Sequence, residues 1–241
     1  MCTAINKKSI SYDSYDKMAK YYYEVVDKKP FNALYERPAL LSLLPDVKGK
    51  VVLDAGCAAG WYTKWLLDNG AKTIAIDFNK KMVDFTNRRV ESQCLVQQAD
   101  LNNPLDFLAD ESIDIIISSL TLHYIENWDF VFNQFYRKLK KNGIVVFSTH
   151  HPFMDFHMFN IENYFNTTLI HDEWETNNGK VKVDFFRRPL QDIINPVLNN
   201  NFEIIKLLEP FPTKEFEKIQ PKTYKRLCNN PHFLFIKAVK K

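Results

Sequence analysis

The sequence predicts a doubly wound α/β fold: a seven-stranded, mostly parallel sheet with an antiparallel last strand, N-terminal helices and a small cap inserted after strand five. Three observations predict it. Short apolar or β-branched runs alternate with amphipathic stretches from Lys50 to Thr149, as in parallel strands covered on both faces by crossover helices. A turn of small residues, Ala55-Gly56-Cys57-Ala58-Ala59-Gly60, joins the first run to the first of these helices. An aromatic, turn-rich stretch over 150–188 then breaks the alternation before two closing runs.

Each element follows from local pattern. Tyr15, Met18, Ala19, Tyr22 and Val26 recur at helical spacing within Ser14–Asp27. A second helix is expected over Asn32–Leu44, with Pro38 in its first turn or at a kink, stopping at Pro45. Lys50–Asp54, Thr73–Asp77, Gln93–Gln97, Ile113–Ser118 and Ile144–Thr149 read as strands one to five. Between them, a helix over Trp61–Asn69 ends at Gly70, and another starts at Asn79, a good N-cap. A third carries the stripe Trp128, Val131, Phe132, Phe135, Leu139 and closes at Asn142-Gly143. In the cap, Thr167–Glu175 and Lys180–Phe186 alternate around Asn177-Asn178-Gly179, a hairpin signal. Arg188–Asn200 reads as a helix, and Phe202–Leu208 and Phe233–Val239 as the closing strands.

Composition bounds the function. With 241 residues, 46% hydrophobic and 25% charged, one domain is expected over 1–241: a helical lid (1–45), a ligand-binding half (46–149), a cap (150–188) and a closing helix and strand pair (189–241). A net charge of +3 with mixed signs argues against a nucleic-acid surface. No stretch has the apolar length of a signal peptide or a membrane span, so no membrane partner is expected. Cys2, Cys57, Cys94 and Cys228 are scattered, which suits reduced thiols in the cytoplasm. The oligomeric state leaves no mark on the sequence.

In doubly wound sheets ligands sit beyond the carboxyl ends of the strands, where strand order reverses. The turn after strand one is therefore the first place to search. Its small residues let a ligand approach the backbone, and the helix N-terminus offers free N–H groups. A dinucleotide fingerprint needs its glycines at G-x-G-x-x-G spacing; here Gly56 and Gly60 are four apart and Asp54 precedes them. A carboxylate there suits a ligand bearing an ammonium group better than a pyrophosphate. A tight turn without a ligand is the plain alternative.

The run Asp54-Ala55-Gly56-Cys57-Ala58-Ala59-Gly60 resembles the first motif, D/E-x-G-x-G-x-G, of the class I S-adenosylmethionine-dependent methyltransferases. The order of elements from Lys50 to Val239 is similar to that family, and three phrases are similar to its small-molecule branch. These are Tyr35-Glu36-Arg37-Pro38-Ala39-Leu40-Leu41, Ser118-Ser119-Leu120-Thr121-Leu122-His123-Tyr124 and His151-Pro152-Phe153. One departure stands out: Ala58 occupies the place of the middle glycine, tolerable if its φ is negative.

The resemblance implies S-adenosyl-L-methionine as cofactor, a Rossmann-like sheet and a small-molecule methyl acceptor. It assigns Asp54, Gly56, Cys57, Ala58 and Gly60 to the binding turn, Asp77 to the ribose hydroxyls, Asp100 and Leu101 to adenine, Phe78 and Met82 to the faces of the base, and Ser118 to the methionyl part. Asp77 also reads as a helix cap and Met82 as plain core. Methyl transfer from a sulfonium is in-line displacement, so positioning does much of the work, and a base is needed only if the acceptor must lose a proton. His123, His150 and His151, at the exits of strands four and five, are the candidates for that base, with His151 first and His123 also assigned; Tyr124, Phe153, Asp155, His157 and Trp174 are candidates to line the pocket. No metal site is expected, since His150, His151 and His157 lack a ligand spacing. The tyrosines at 12, 15, 21, 22 and 23 form either a lid or an amphipathic helix packed on the sheet, and Arg37 is placed to meet a carboxylate. An RNA or protein methyltransferase, or a binding module without catalysis, are the other readings.

Overall fold

A computed structural model describes residues 9–177 and 179–241. The first eight residues of the expected lid, Cys2 with them, and Asn178 at the hairpin tip lie outside the described residues. The chain opens with helix α1 (Tyr12–Val25), then a π-helical turn (Asn32–Glu36) running into α2 (Arg37–Leu43). The expected second helix is thus one continuous element with a wide first turn. Pro38 has no N–H to give the carbonyl of Leu34, and the Thr213 N–H takes that carbonyl instead at 2.9 Å.

From here strands and helices alternate: β1 (Val51–Ala55), α3 (Trp61–Asp68), β2 (Lys72–Asp77), α4 (Lys80–Arg89), β3 (Leu95–Gln98), β4 (Ile113–Ser119), a short 3-10 turn (Leu122–Tyr124), α5 (Trp128–Lys138) and β5 (Leu139–His150). The cap holds α6 (Pro152–Met158) and the hairpin β6 (Thr168–Thr176) and β7 (Gly179–Arg187). Then come α7 (Leu190–Asn199), β8 (Phe202–Leu208), α8 (Lys214–Ile219), α9 (Pro221–Leu227) and β9 (Phe233–Lys240).

The seven-stranded sheet has the order β3-β2-β1-β4-β5-β9-β8, parallel except where β9 runs antiparallel to both its neighbours. Alternation along the strands separates two cores. Leu53, Ile116, Val145, Phe147 and Ile236 meet Phe132, Phe135 and Val197 on one face; Val52, Ile117, Val146 and Phe235 meet Leu40, Tyr62 and Leu66 on the other. Helix α5 ends sooner than Asn142-Gly143 would place its stop. Leu139 is extended and buried, paired with Ile113, and the register jumps from Ile113↔Leu139 to Ile115↔Ile144, leaving 140–143 as a bulged turn.

Strand order reverses between β1 and β4, so their ends open onto the crevice. The turn after β1 is wound tightly there. Gly56 has φ 92° and a Cβ on it would lie 2.2 Å from Thr121 Oγ1; Gly60 has φ 78° and a Cβ would lie 2.8 Å from Thr86, inside α4. Ala58 does not have the negative φ that would ease its methyl; it sits at φ 46°. Two bonds hold it in this strained region: its N–H donates to Asp77 at 2.9 Å, and its carbonyl accepts from Thr86 Oγ1 at 2.7 Å. Ala58→Gly should therefore raise stability by about 0.5–1 kcal/mol, while Gly60→Ala should lower it by roughly 2–3 kcal/mol because Thr86 cannot retreat. Urea unfolding midpoints of the two variants check both signs.

Candidate active site

Three strand ends and the cap enclose a cavity of about 320 Å³. Its floor is the β1 turn (Gly56, Ala58), Asp77 and Phe78 after β2, and Ser119, Leu120 and Thr121 at the end of β4. Tyr15 and Tyr22 of α1 form one side; Met158, Phe159, Trp174 and Phe185 of the cap form the roof. Two recesses share this floor. One reaches Asp100 and Leu101 past Asp77 and Phe78; the other reaches Glu36, Arg37, Cys57 and Trp61 past Gly56 and Ala58.

Asp77 closes β2 against the turn. Its Oδ2 accepts the Ala58 N–H and its Oδ1 the Asn79 N–H at 2.8 Å, so each oxygen keeps a further lone pair. Burial nonetheless lifts its carboxyl to about 6. Asn79 caps α4 as the sequence indicates, accepting from the N–H groups of Lys81 and Met82.

Of the residues singled out in the sequence, Gly56, Ala58, Asp77, Phe78 and His123 line the cavity, Asp100 and Leu101 line one recess and Cys57 the other. Five stand apart from all three spaces. The Asp54 carboxylate is buried and accepts from Thr63 Oγ1 at 2.6 Å, and burial raises it to about 7; it ties β1 to α3. Gly60 faces Thr86, and Met82 is core beneath the cap. Ser118 turns into the sheet, donating to the Ala55 carbonyl at 2.9 Å, so it is Ser119 that reaches the floor.

The fifth, His151, is the largest correction. Both ring nitrogens are engaged away from the cavity: Nε2 with Glu209 at 2.6 Å, and Nδ1 accepting the Phe153 N–H as the cap of α6. A strand alternates its side chains, so the neighbour His150 is the one that faces inward. His150 stacks on His123 with ring centres 4.1 Å apart and points Nδ1 at the buried Asp155 carboxylate, 3.6 Å from Oδ1. Among the described residues its Nε2 has no hydrogen-bond partner. His232 completes this wall, packed on Phe31 and Phe233. Nδ1 of His123, His150 and His232 and Oδ1 of Asp155 all lack partners.

Of the lid tyrosines, Tyr15 and Tyr22 reach the cavity, and Tyr15 shares a 2.8 Å hydroxyl contact with Tyr124. Tyr23 instead stacks on Phe85 of α4. Arg37 donates to the carbonyls of Val26 and Asp27 at 2.9 and 3.0 Å, with its guanidinium over Trp61, and lines the second recess. Trp174 lines the cavity, whereas Phe153 and His157 do not. Sequence reasoning passed over Glu36, a buried carboxylate accepting from Tyr62, Ser119 and Ser148. No group of three His, Cys, Asp or Glu side chains among the described residues is arranged to hold a metal ion. No helix among them is long and apolar enough to cross a membrane.

Comparison with known proteins agrees with the fold. A methyltransferase-domain family matches residues 53–147, the span from β1 to β5. An uncharacterised protein of Haemophilus influenzae is 30% identical over 87% of this chain and 88% of its own length. A malonyl-[acyl-carrier protein] O-methyltransferase of Acetivibrio thermocellus is 29% identical over 89% of this chain and 67% of its own. The crystal structure of a protein assigned as an S-adenosylmethionine-dependent methyltransferase, from Listeria monocytogenes, superposes with a TM-score of 0.75 at 26% identity, covering 86% of this chain and 96% of that one.

The buried imidazoles set the acid response. Burial pushes His123, His151 and His232 below the usual range, His232 to about 3. As pH falls through roughly 6.5 the unfolded chain takes up protons there that the folded chain refuses, so stability is lost. Asp54 and Asp77 act oppositely, because their raised carboxyls bind protons in the folded chain first. His232→Asn should therefore spare about 1–2 kcal/mol of the stability lost between pH 7 and pH 5. Denaturation midpoints of both proteins at the two pH values measure it.

Proposed function

The chain belongs to the S-adenosylmethionine-dependent methyltransferases, and we propose that it transfers the methyl group to a small-molecule acceptor held under the cap, as a single cytoplasmic catalytic unit. The carrying observation is the cavity itself, which runs without interruption from the β1 turn to Met158, Phe159 and Trp174 of the cap. A flat, basic surface for RNA or an open groove for a protein chain would need a different shape and charge. The malonyl-[acyl-carrier protein] methyltransferase among the relatives also supports an acceptor that presents a small reacting group.

The residues present fit the cofactor. The bare backbone at Gly56, which no Cβ can occupy, admits close approach, and Asp77 keeps acceptor capacity for a pair of hydroxyls. In this reading Asp77 holds the ribose, Phe78 with Asp100 and Leu101 the adenine, and the recess at Arg37, Cys57 and Ala58 the methionyl end. The bound cofactor supplies an electrophilic methyl group on a sulfonium.

The protein's share is position, dryness and proton handling. Tyr15 and Tyr22 with the cap hairpin exclude water, which strengthens every charge interaction inside. His150 is placed to accept a proton at Nε2 while Asp155 steadies the imidazolium through Nδ1, a base with its orienting carboxylate. His151 belongs to the framework.

Asp77→Ala should weaken S-adenosylmethionine binding by about 1.5–3 kcal/mol, the loss expected for hydrogen bonds to a charged group; calorimetric titration measures it, and an unchanged dissociation constant removes Asp77 from the site. With an acceptor identified by screening metabolites for S-adenosylhomocysteine release, His150→Ala should slow turnover by ~10²-fold or more. His151→Ala should leave turnover within a few-fold but lower the melting temperature, through loss of the α6 cap and the Glu209 pair.

A further inference from the structure

Resting on the function just described, we propose that the acceptor is an amine carried on an apolar body, and that His150 and Asp155 form the subsite receiving its nitrogen. Charge gives the first reason. The cavity lining holds three carboxylates, Asp77, Asp155 and Asp172, against one ammonium, Lys29 of the chain after α1. The two buried arginines nearby face elsewhere. Arg187 donates to the carbonyls of Tyr164, Asn166 and Pro152, and Arg188 to those of Ile125 and Glu126. A carboxylate or phosphate acceptor would meet no fixed positive charge at the inner wall, whereas an ammonium meets carboxylates and aromatic faces.

Hydrogen-bonding capacity gives the second reason. At this wall Nδ1 of His123, His150 and His232 and Oδ1 of Asp155 have no hydrogen-bond partner, and of these the carboxylate oxygen can only accept, which favours a donor or a cation on the ligand. The Asp155 side chain is buried with Oδ1 unpartnered and 3.6 Å from Nδ1 of His150, and both residues line the cavity. The rings of His123 and His150 meet Phe185 edge-on and His150 stacks on Phe233, which adds a face suited to a cation and an apolar body together.

The chemistry balances. An ammonium nitrogen gives one proton to His150 Nε2, and the freed lone pair forms the new bond to the methyl carbon. The electron pair of the carbon–sulfur bond that breaks stays on sulfur. The products are a methylated ammonium, a neutral thioether and a proton on His150, which passes to solvent. Asp155 is here a positioning residue: its charge favours both the arriving ammonium and the imidazolium.

Three probes that share a phenylethyl body test the proposal on the full chain saturated with S-adenosylhomocysteine: 2-phenylethylamine, 2-phenylethanol and 3-phenylpropionate, each titrated by calorimetry. The amine should bind at least tenfold more tightly than the carboxylate. Asp155→Asn should weaken the amine about tenfold and leave the alcohol unchanged, a difference that loss of packing alone would not produce; His150→Asn serves the same comparison if Asp155→Asn folds poorly. The proposal is overturned if the carboxylate or the alcohol binds as tightly as the amine, if none of the three binds, or if the variants weaken amine and alcohol alike. Failure of S-adenosylhomocysteine itself to bind would overturn the methyltransferase reading of the cavity, and this inference with it; any of the other results with cofactor binding intact overturns the amine alone.

Discussion

The floor of the cavity depends on one buried carboxylate, that of Glu36. It accepts hydroxyl hydrogens from Tyr62 of α3, Ser119 at the end of β4 and Ser148 of β5, at 2.7–2.8 Å. Desolvation raises its carboxyl above the ordinary range, and the three hydroxyls oppose that rise. The consequence passes down the chain. Ser148 Oγ also accepts the Leu120 N–H, Leu120 is held at φ 46°, and Thr121 is thereby pressed onto Gly56. The bare backbone of the β1 turn and the shape of the β4 end are two sides of this one contact.

The roof is built on different terms. Buried guanidinium groups, not apolar contacts alone, fasten the cap: Arg187 lies between the rings of Phe156 and Tyr164, and Arg188 over Trp128. Ser11 then joins α1 to the hairpin by exchanging two hydrogen bonds with the backbone of Asp184. Floor and roof thus carry separate sets of bonds.

The sheet was legible because its signals are local and repeated. Strands such as Ile113–Ser119 are continuous apolar runs, and Asn79 shows its cap chemistry in its residue type. The hairpin register around Gly179 likewise follows from the alternation of Thr168–Thr176 and Gly179–Arg187. What the sequence concealed is orientation across long separations. Whether His150 or His151 faces the cavity turns on the phase of β5, and that phase is set by pairing with β9, more than 80 residues away. Ser118 and Ser119 differ in the same way. Glu36 left no local trace, since its three partners come from three other elements. Alternating positions in a strand whose both faces are buried carry no polarity signal to separate them.

The wide turn at Asn32–Glu36 sets the direction in which Glu36 points. A π-turn holds one residue more than the α-helical turn it replaces. Successive helix residues are set about 100° apart. Removing one residue there would restore a regular helix and swing Glu36 by that angle, away from Ser119, Ser148 and Tyr62. A single-codon deletion in this turn would thus undo the floor of the site from its far side.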